Sequence, residues 1–198
     1  MKKSRILSVA LVAVALFVGQ STFAQDGKMK KDKMMKEKTV MVGGAEMYPS
    51  KNIIENAVNS EDHTTLVAAV KAADLVEVLS GEGPFTVFAP TNEAFEALPA
   101  GTVDTLLKPE NKKSLQGVLT YHVIAGKFNA KDVIGLIKKN DGKATVKTVA
   151  GSELTLYLED GNVMIKDANG GTATVTIADV NQSNGVIHVI DTVLLPKM

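Results

Sequence analysis

The chain has 198 residues, with 22 Lys and Arg against 22 Asp and Glu, 45% hydrophobic and 5% aromatic residues, and neither Cys nor Trp. This is chain for one domain with an ordinary core, and the lack of Cys excludes disulfides, thiolate metal centres and a cysteine nucleophile. Beyond Arg5 there is no arginine, so the usual bidentate reader of phosphate and guanine is missing and nucleic acid is not an expected partner.

The N-terminus reads as three zones: basic Met1 to Arg5, an apolar run of 14 residues from Ile6 to Gly19, and a more polar stretch closing on Thr22-Phe23-Ala24. The run falls short of the roughly 20 residues that span a bilayer, and Thr22 and Ala24 put small residues where signal peptidase requires them. Residues 1–24 are therefore expected to be a secretory signal peptide cleaved after Ala24. The mature chain would hold no transmembrane segment and would reside in a bacterial periplasm or outside the cell.

Residues 25–45 are expected to form a flexible Lys/Met-rich tether. Gln25 to Lys38 carries six Lys, three acids and three Met (Met29, Met34, Met35) with no β-branched or aromatic residue, too little apolar surface to offset the entropy of ordering. Its thioethers are soft-metal ligands in principle; the simpler reading is a solvated spacer. Residues 39–198 hold 13 Lys against 19 acids, a net −6.

Residues 46–198 are expected to form the single folded domain. Leu66, Ala69, Val70 and Ala73 recur at helical spacing, and Leu75, Val78 and Leu79 extend that face until Gly81 to Pro84 stop it. Pro84 to Pro90 reads as a strand. Thr91 caps a following helix whose Phe95 and Leu98 point inward, Pro109 opens another carrying Leu115, Val118 and Leu119, and Asn129 with Asp132 resembles a capping box. At Asn140-Asp141-Gly142 the apolar period changes from 3.6 to 2. An Asp160-Gly161 turn pairs Leu158 with Val163 and Leu156 with Ile165, Thr172 to Ile177 forms the next strand, and Val186 to Ile190, apolar on both faces, is expected at the sheet centre. Helices first and antiparallel strands afterwards make an α+β fold.

Three stretches in this order resemble the fasciclin (FAS1) domain family: Gly83 to Phe95 (GPFTVFAPTNEAF), Tyr121-His122-Val123-Ile124, and Asn184 to Asp191 (NGVIHVID) followed by Val193-Leu194-Leu195-Pro196. The resemblance spans about residues 50 to 198. It implies a wedge of about seven mostly antiparallel strands with several short helices, and a secreted or surface-held module for adhesion to cells or matrix, without enzymatic activity or cofactor. The partner would be a cell-surface or matrix polymer or protein. A few algal members carry carotenoids, which makes a carrier of an apolar ligand the alternative, with Phe85, Phe88, Phe95 and Phe128 as groove residues. By the same resemblance, Tyr121 and His122 are candidate binding residues, and Phe88, Pro90, Thr91, Asn92, Phe95, His122, Gly185, His188 and Asp191 form the structural motif. The Asp-Ile dipeptide of integrin-binding animal members does not occur.

Candidate chemistry is sparse. His63, His122 and His188 would have to converge to hold catalytic zinc. Instead, His63 is expected as a solvated first-turn residue, His122 as a buried residue bonded to backbone near the first signature, and His188 as a packed strand residue. Ser152 and Ser183 sit in turn contexts without a nucleophile motif. The Asp160-Gly161-Asn162 and Asp167 to Gly170 stretches contain calcium-type ligands but read as turns, because neither has the spacing of a complete calcium loop.

Overall fold

A computed structural model describes residues 38–197. The expected signal peptide and the tether through Glu37, with its three methionines, lie outside them. Ordered chain begins earlier than expected: β1 (Val40–Val42) and β2 (Ala45–Met47) pair as an antiparallel hairpin. Gly43 and Gly44 both take positive φ at its turn, the conformation a two-residue hairpin loop of this kind demands. Val42 and Met47 are buried. Residues 40–45, expected as part of the tether, are therefore folded.

The short helices start where local chemistry provides caps. In α1 (Ile53–Ala57) the Asn52 side chain accepts from Glu55 N at 2.9 Å and the Glu55 carboxylate accepts from Asn52 N at 2.8 Å, a reciprocal capping box. A 3-10 turn at Glu61–His63 leads into α2 (Thr64–Ala72), and α3 (Val76–Ser80) follows. Between them Asp74 adopts φ 54°, which ends the first helix and resets the phase of the second. The inward face expected for Val78 is lost for that reason: it is 52% exposed while Leu79 is buried.

Strand β3 (Phe85–Pro90) runs into α4 (Asn92–Glu96), where Thr91 Oγ1 accepts from Ala94 N at 3.4 Å. Next come α5 (Thr102–Leu106), a 3-10 turn opened by Pro109, α6 (Lys112–Tyr121), β4 (Val123–Ala125) and α7 (Ala130–Lys139). The start of α7 is held twice, by Asn129 N donating to the Asp132 carboxylate at 3.1 Å and by Ala130 N donating to Asp179 at 2.6 Å. The strands β5 (Lys143–Lys147), β6 (Glu153–Glu159), β7 (Asn162–Lys166), β8 (Thr172–Gln182) and β9 (Gly185–Ile190) complete the fold.

Seven strands make one sheet in the order β4-β3-β9-β8-β7-β6-β5. The β6–β7 register pairs Leu158 with Val163 and Leu156 with Ile165, as the turn spacing requires. Two features depart from the periodic reading. The central strand β9 pairs antiparallel with β8 but parallel with β3, so the second half of the chain is not purely antiparallel in its pairing. And β8 continues to Gln182 rather than Ile177, with register shifts between Val175 and Val180. Thr172 to Thr174 pair with β7 and Val175 to Gln182 with β9, and the strand continues through the shifts because a bulge bends and twists a strand without ending it.

The core lies on both faces of the sheet. Val87, Ala89, Ile187 and Val189 meet Val42, Met47, Ile53, Val70 and Leu119 on one side, while Phe88 and Ile190 join Val133, Ile137, Leu154, Leu156 and Ile165 on the other. Strand alternation sends successive residues of β3 and β9 to opposite layers, which is why β9 is buried along its whole length. The result is an α+β domain with one mostly antiparallel seven-stranded sheet.

Candidate functional site

The middle motif sits at the junction of both layers. Tyr121, fully buried at the last position of α6, donates its hydroxyl proton to Glu153 O at 2.9 Å and accepts Ala168 N–H at 3.0 Å. One phenol thus ties α6 to the start of β6 and to the β7–β8 turn. Burial raises its pKa, so it stays a neutral donor and acceptor. His122, 3% exposed, donates from Nδ1 to Val118 O at 2.8 Å and accepts Leu194 N–H on Nε2 at 3.0 Å. Only the Nδ1–H tautomer satisfies both bonds. Burial lowers its pKa to about 4 against the opposing effects of the Val118 carbonyl and the Asp167 carboxylate. Its ring partners lie in its own helix and in the closing segment, whereas the contact with the first signature is made by its backbone, His122 O accepting from Phe88 N at 2.9 Å. The expected partner contact through Tyr121 and His122 has no exposed side chain to carry it.

The first signature builds the frame. Asn92 accepts from Thr65 N at 3.0 Å and from Thr64 Oγ1 at 3.2 Å, and donates to Glu61 O at 2.7 Å, so it satisfies the start of α2 from a distant element. Phe88 lies 5.9 Å from His188 between ring centroids, Pro90 aligns with Ile190 across the parallel pair, and Phe95 packs with Ala94, Val118 and Val193. In the closing signature, Asn184 accepts from Ile53 N at 3.0 Å and donates to Leu79 O and Gly81 O at 2.8 and 2.9 Å. A Cβ on Gly185 would collide with the Phe85 carbonyl, which explains a glycine at that position without any need for unusual backbone angles. Asp191 accepts from Thr174 N at 2.8 Å and fixes β8 beside the end of β9.

The three histidines do not form a site. His188 Nε2 donates to Phe128 O at 2.8 Å and its Nδ1 accepts Asp179 N–H at 3.3 Å, with burial lowering its pKa. His63 is a correction to the solvated residue expected: it is 3% exposed, with Nδ1 2.8 Å from Ser60 Oγ. The reason is the hairpin, whose Gly43 O accepts from Glu61 N at 2.9 Å and which packs against Ser60 and Asp62. Burial lowers the pKa of His63; the Ala89 carbonyl opposes this electrostatically, but Nε2 makes no well-formed hydrogen bond. No group of three or more His, Asp or Glu among the described residues is arranged to hold a metal ion. Asp167 accepts from Asn169 N, Gly171 N and Leu195 N at 2.9, 2.8 and 3.1 Å, so its carboxylate serves a turn.

The four phenylalanines do not line a common groove. Phe85 packs in one cluster, Phe88 and Phe128 in another and Phe95 in a third. An apolar cavity of about 50 Å³ lies beneath the hairpin, bordered by Val42, Met47, Ile53, His63, Val70 and Phe88. Several polar residues of the frame lie outside the motifs: Asn56, Ser60 and Gln182 are buried, as is Thr86 within the first signature. Asn56 bonds to Tyr48 N and O and to Gln182, and Thr86 Oγ1 donates to Gly126 O and accepts from Phe128 N at 2.7 and 2.9 Å. Nothing in their spacing distinguishes them from surface polar residues.

The family model of the fasciclin domain matches residues 61–196. The chain belongs to the fasciclin domain family. Among its fasciclin relatives, protein sll1483 of Synechocystis is 53% identical over 162 residues, covering 82% of this chain and 83% of that protein. Immunogenic protein MPB70 of Mycobacterium bovis is 35% identical over 145 residues, covering 71% and 66%. A solved FAS1 domain pair from the insect cell adhesion molecule Fasciclin I superposes with a TM-score of 0.66 at 18% identity, over 81% of this chain and 58% of that one. That likeness concerns the fold. No helix among the described residues is long and apolar enough to cross a membrane.

Proposed function

We propose that the protein is an exported, non-enzymatic module that attaches to a cell-surface or matrix polymer or protein through the outer surface of its fasciclin domain. Family membership over residues 61–196 carries this reading. It is supported by the names of two relatives: cell surface glycolipoprotein MPB83 of Mycobacterium bovis, 35% identical over 145 residues, with 71% of this chain and 58% of that one covered, and transforming growth factor-beta-induced protein ig-h3 of Sus scrofa, 39% identical over 131 residues that make up 17% of that longer chain. The chemistry of the motifs supports it too. The ring nitrogens of His122 and His188 and the phenol of Tyr121 are engaged with backbone groups, and groups held in that way are supports for a surface rather than reagents.

Under this reading residues 1–24 direct export, residues 25–38 space the domain from its surroundings, and the folded surface supplies the affinity. The test is retention of the purified protein on extracellular matrix from its host, with and without residues 25–38. Retention that survives the deletion supports the domain as the adhesive element. Complete loss on deletion would assign adhesion to the lysine-rich segment and leave the domain as its carrier.

A further inference from the structure

We infer that the outer face of the β5–β8 sheet is a binding surface for an acidic polysaccharide, one bearing uronate or sulfate groups. This rests on the adhesive reading above and names the partner class. The inner face of these strands is buried: Ala144, Leu154, Leu156, Ile165 and Ala173 pack with Val133 and Ile137 of α7. By strand alternation, every second residue then points away from the core.

Register aligns those outward residues into two rows. Lys143, Tyr157, Met164 and Thr174 lie side by side across four strands, and Thr145, Thr155, Lys166 and Thr172 form the next row. The patch is about 14 Å across at the ordinary strand spacing. It contains two cations, one aromatic ring, one thioether and four threonine hydroxyls, with no carboxylate; at its margins stand Glu153, opposite Lys147, Glu159, opposite Asn162, and the Asp191 carboxylate bonded to Thr174 N.

Two observations assign the occupant. The first is charge. Residues 39–198 carry 13 Lys and 19 acids, yet these central rows are purely basic, and neither Lys143 nor Lys166 is ion-paired; the one ion pair among the described residues joins Lys112 and Asp74 on another part of the molecule. A polyanion is repelled by most of the domain and attracted here. The second is the chemistry between the cations. Tyr157 is half-buried, so its ring is held in place, while its hydroxyl bonds to no other described residue. An amphipathic ring beside hydroxyls suits a sugar, which presents an apolar C–H face and a polar rim. Lys143 and Lys166 are separated by two strands and one row, roughly 12 Å, so one polymer chain can meet both while a sugar ring lies over Tyr157 and Met164.

The test is binding of the full mature chain to polygalacturonate and to neutral dextran, by affinity electrophoresis or calorimetry at low salt. Polygalacturonate should bind and dextran should not. Replacing both cations (Lys143→Gln with Lys166→Gln) should weaken binding about fivefold or more, the scale of two exposed charge contacts, and Tyr157→Ser should weaken it comparably without altering the salt dependence. Lys138→Gln with Lys139→Gln, the same charge change on exposed residues of α7, should leave it within about twofold. Equal loss from both lysine pairs would reduce the effect to net charge and overturn the assignment. So would absence of polygalacturonate binding, or tighter binding to vesicles of anionic lipid with the same dependence on Lys143 and Lys166. Matrix retention that persists in the Lys143, Lys166 and Tyr157 variants would reject this face while leaving the adhesive reading intact. Failure of the unaltered chain to bind matrix would reject that reading itself.

Discussion

The Nε2 atom of His122, at the C-terminal end of α6, accepts the amide proton of Leu194 at 3.0 Å across 72 positions of sequence. Leu194 is fully buried and packs with Phe88, Tyr121 and Ile190. A neutral imidazole therefore terminates the backbone bonding of the closing segment where no strand partner is available. Its other nitrogen is satisfied within its own helix by Val118 O, so removing the ring leaves two buried backbone groups unmatched.

His122→Ala should accordingly lower stability by roughly 1 to 3 kcal/mol, the cost of orphaned buried polar groups, before the cavity is counted. Urea denaturation of the two proteins at pH 7 measures it. An unchanged midpoint would mean that water or a shifted backbone replaces the ring.

The same residue makes stability depend on pH with a definite sign. In the unfolded chain His122 titrates near its ordinary 6.5, and in the fold near about 4. Between those values the unfolded state binds the proton and the folded state does not, so stability is fully present above pH 6.5 and is lost as pH falls toward 4. The full contribution is about 3 kcal/mol. Burial lowers His63 and His188 as well, and both add to the slope in the same direction. Urea midpoints at pH 7.5 and 5 should differ clearly for the native chain and by less for His122→Ala.

Tyr121→Phe isolates the phenol. It retains the ring in the core but deprives Glu153 O and Ala168 N of their partner. A loss of roughly 1 to 3 kcal/mol is expected, together with faster amide exchange at Ala168 than at β9. Exchange that rises uniformly would indicate global rather than local loosening.

Glycines separate by surroundings. At Gly185 a Cβ meets the Phe85 carbonyl, so Gly185→Ala should destabilise by roughly 1 to 3 kcal/mol or more. At Gly135, inside α7 with nothing within 4 Å of the added atom, alanine should stabilise by about 0.5 to 1 kcal/mol through helix propensity. Thermal melts of the two variants should move in opposite directions.

Export has a direct reading by mass. Protein recovered from its native host should begin at Gln25, and an intact mass that retains residues 1–24 would refute cleavage at Ala24.

What the sequence determined by itself follows from local chemistry. Alternating apolar residues set the β6–β7 register, Thr91 and Asn129 marked helix starts, and the doubly apolar Val186 to Ile190 announced a central strand, because propensity, capping and face patterning act over a few residues. The three fasciclin motifs were legible for the same reason. What only the tertiary structure decided involves partners distant in sequence. The parallel pairing of β9 with β3 requires chain separated by about a hundred residues to meet, and no local period encodes strand direction. His63 reads as solvated beside Asp62 until the β1–β2 hairpin closes over it, and Val78 reads as inward until Asp74 turns left-handed and resets the helix. Tyr121 and His122 were visible as a motif, but their work as supports depends on Glu153, Ala168 and Leu194. Hydrogen bonds are made to whichever group folding brings within bonding distance, and that is a property of the packed chain.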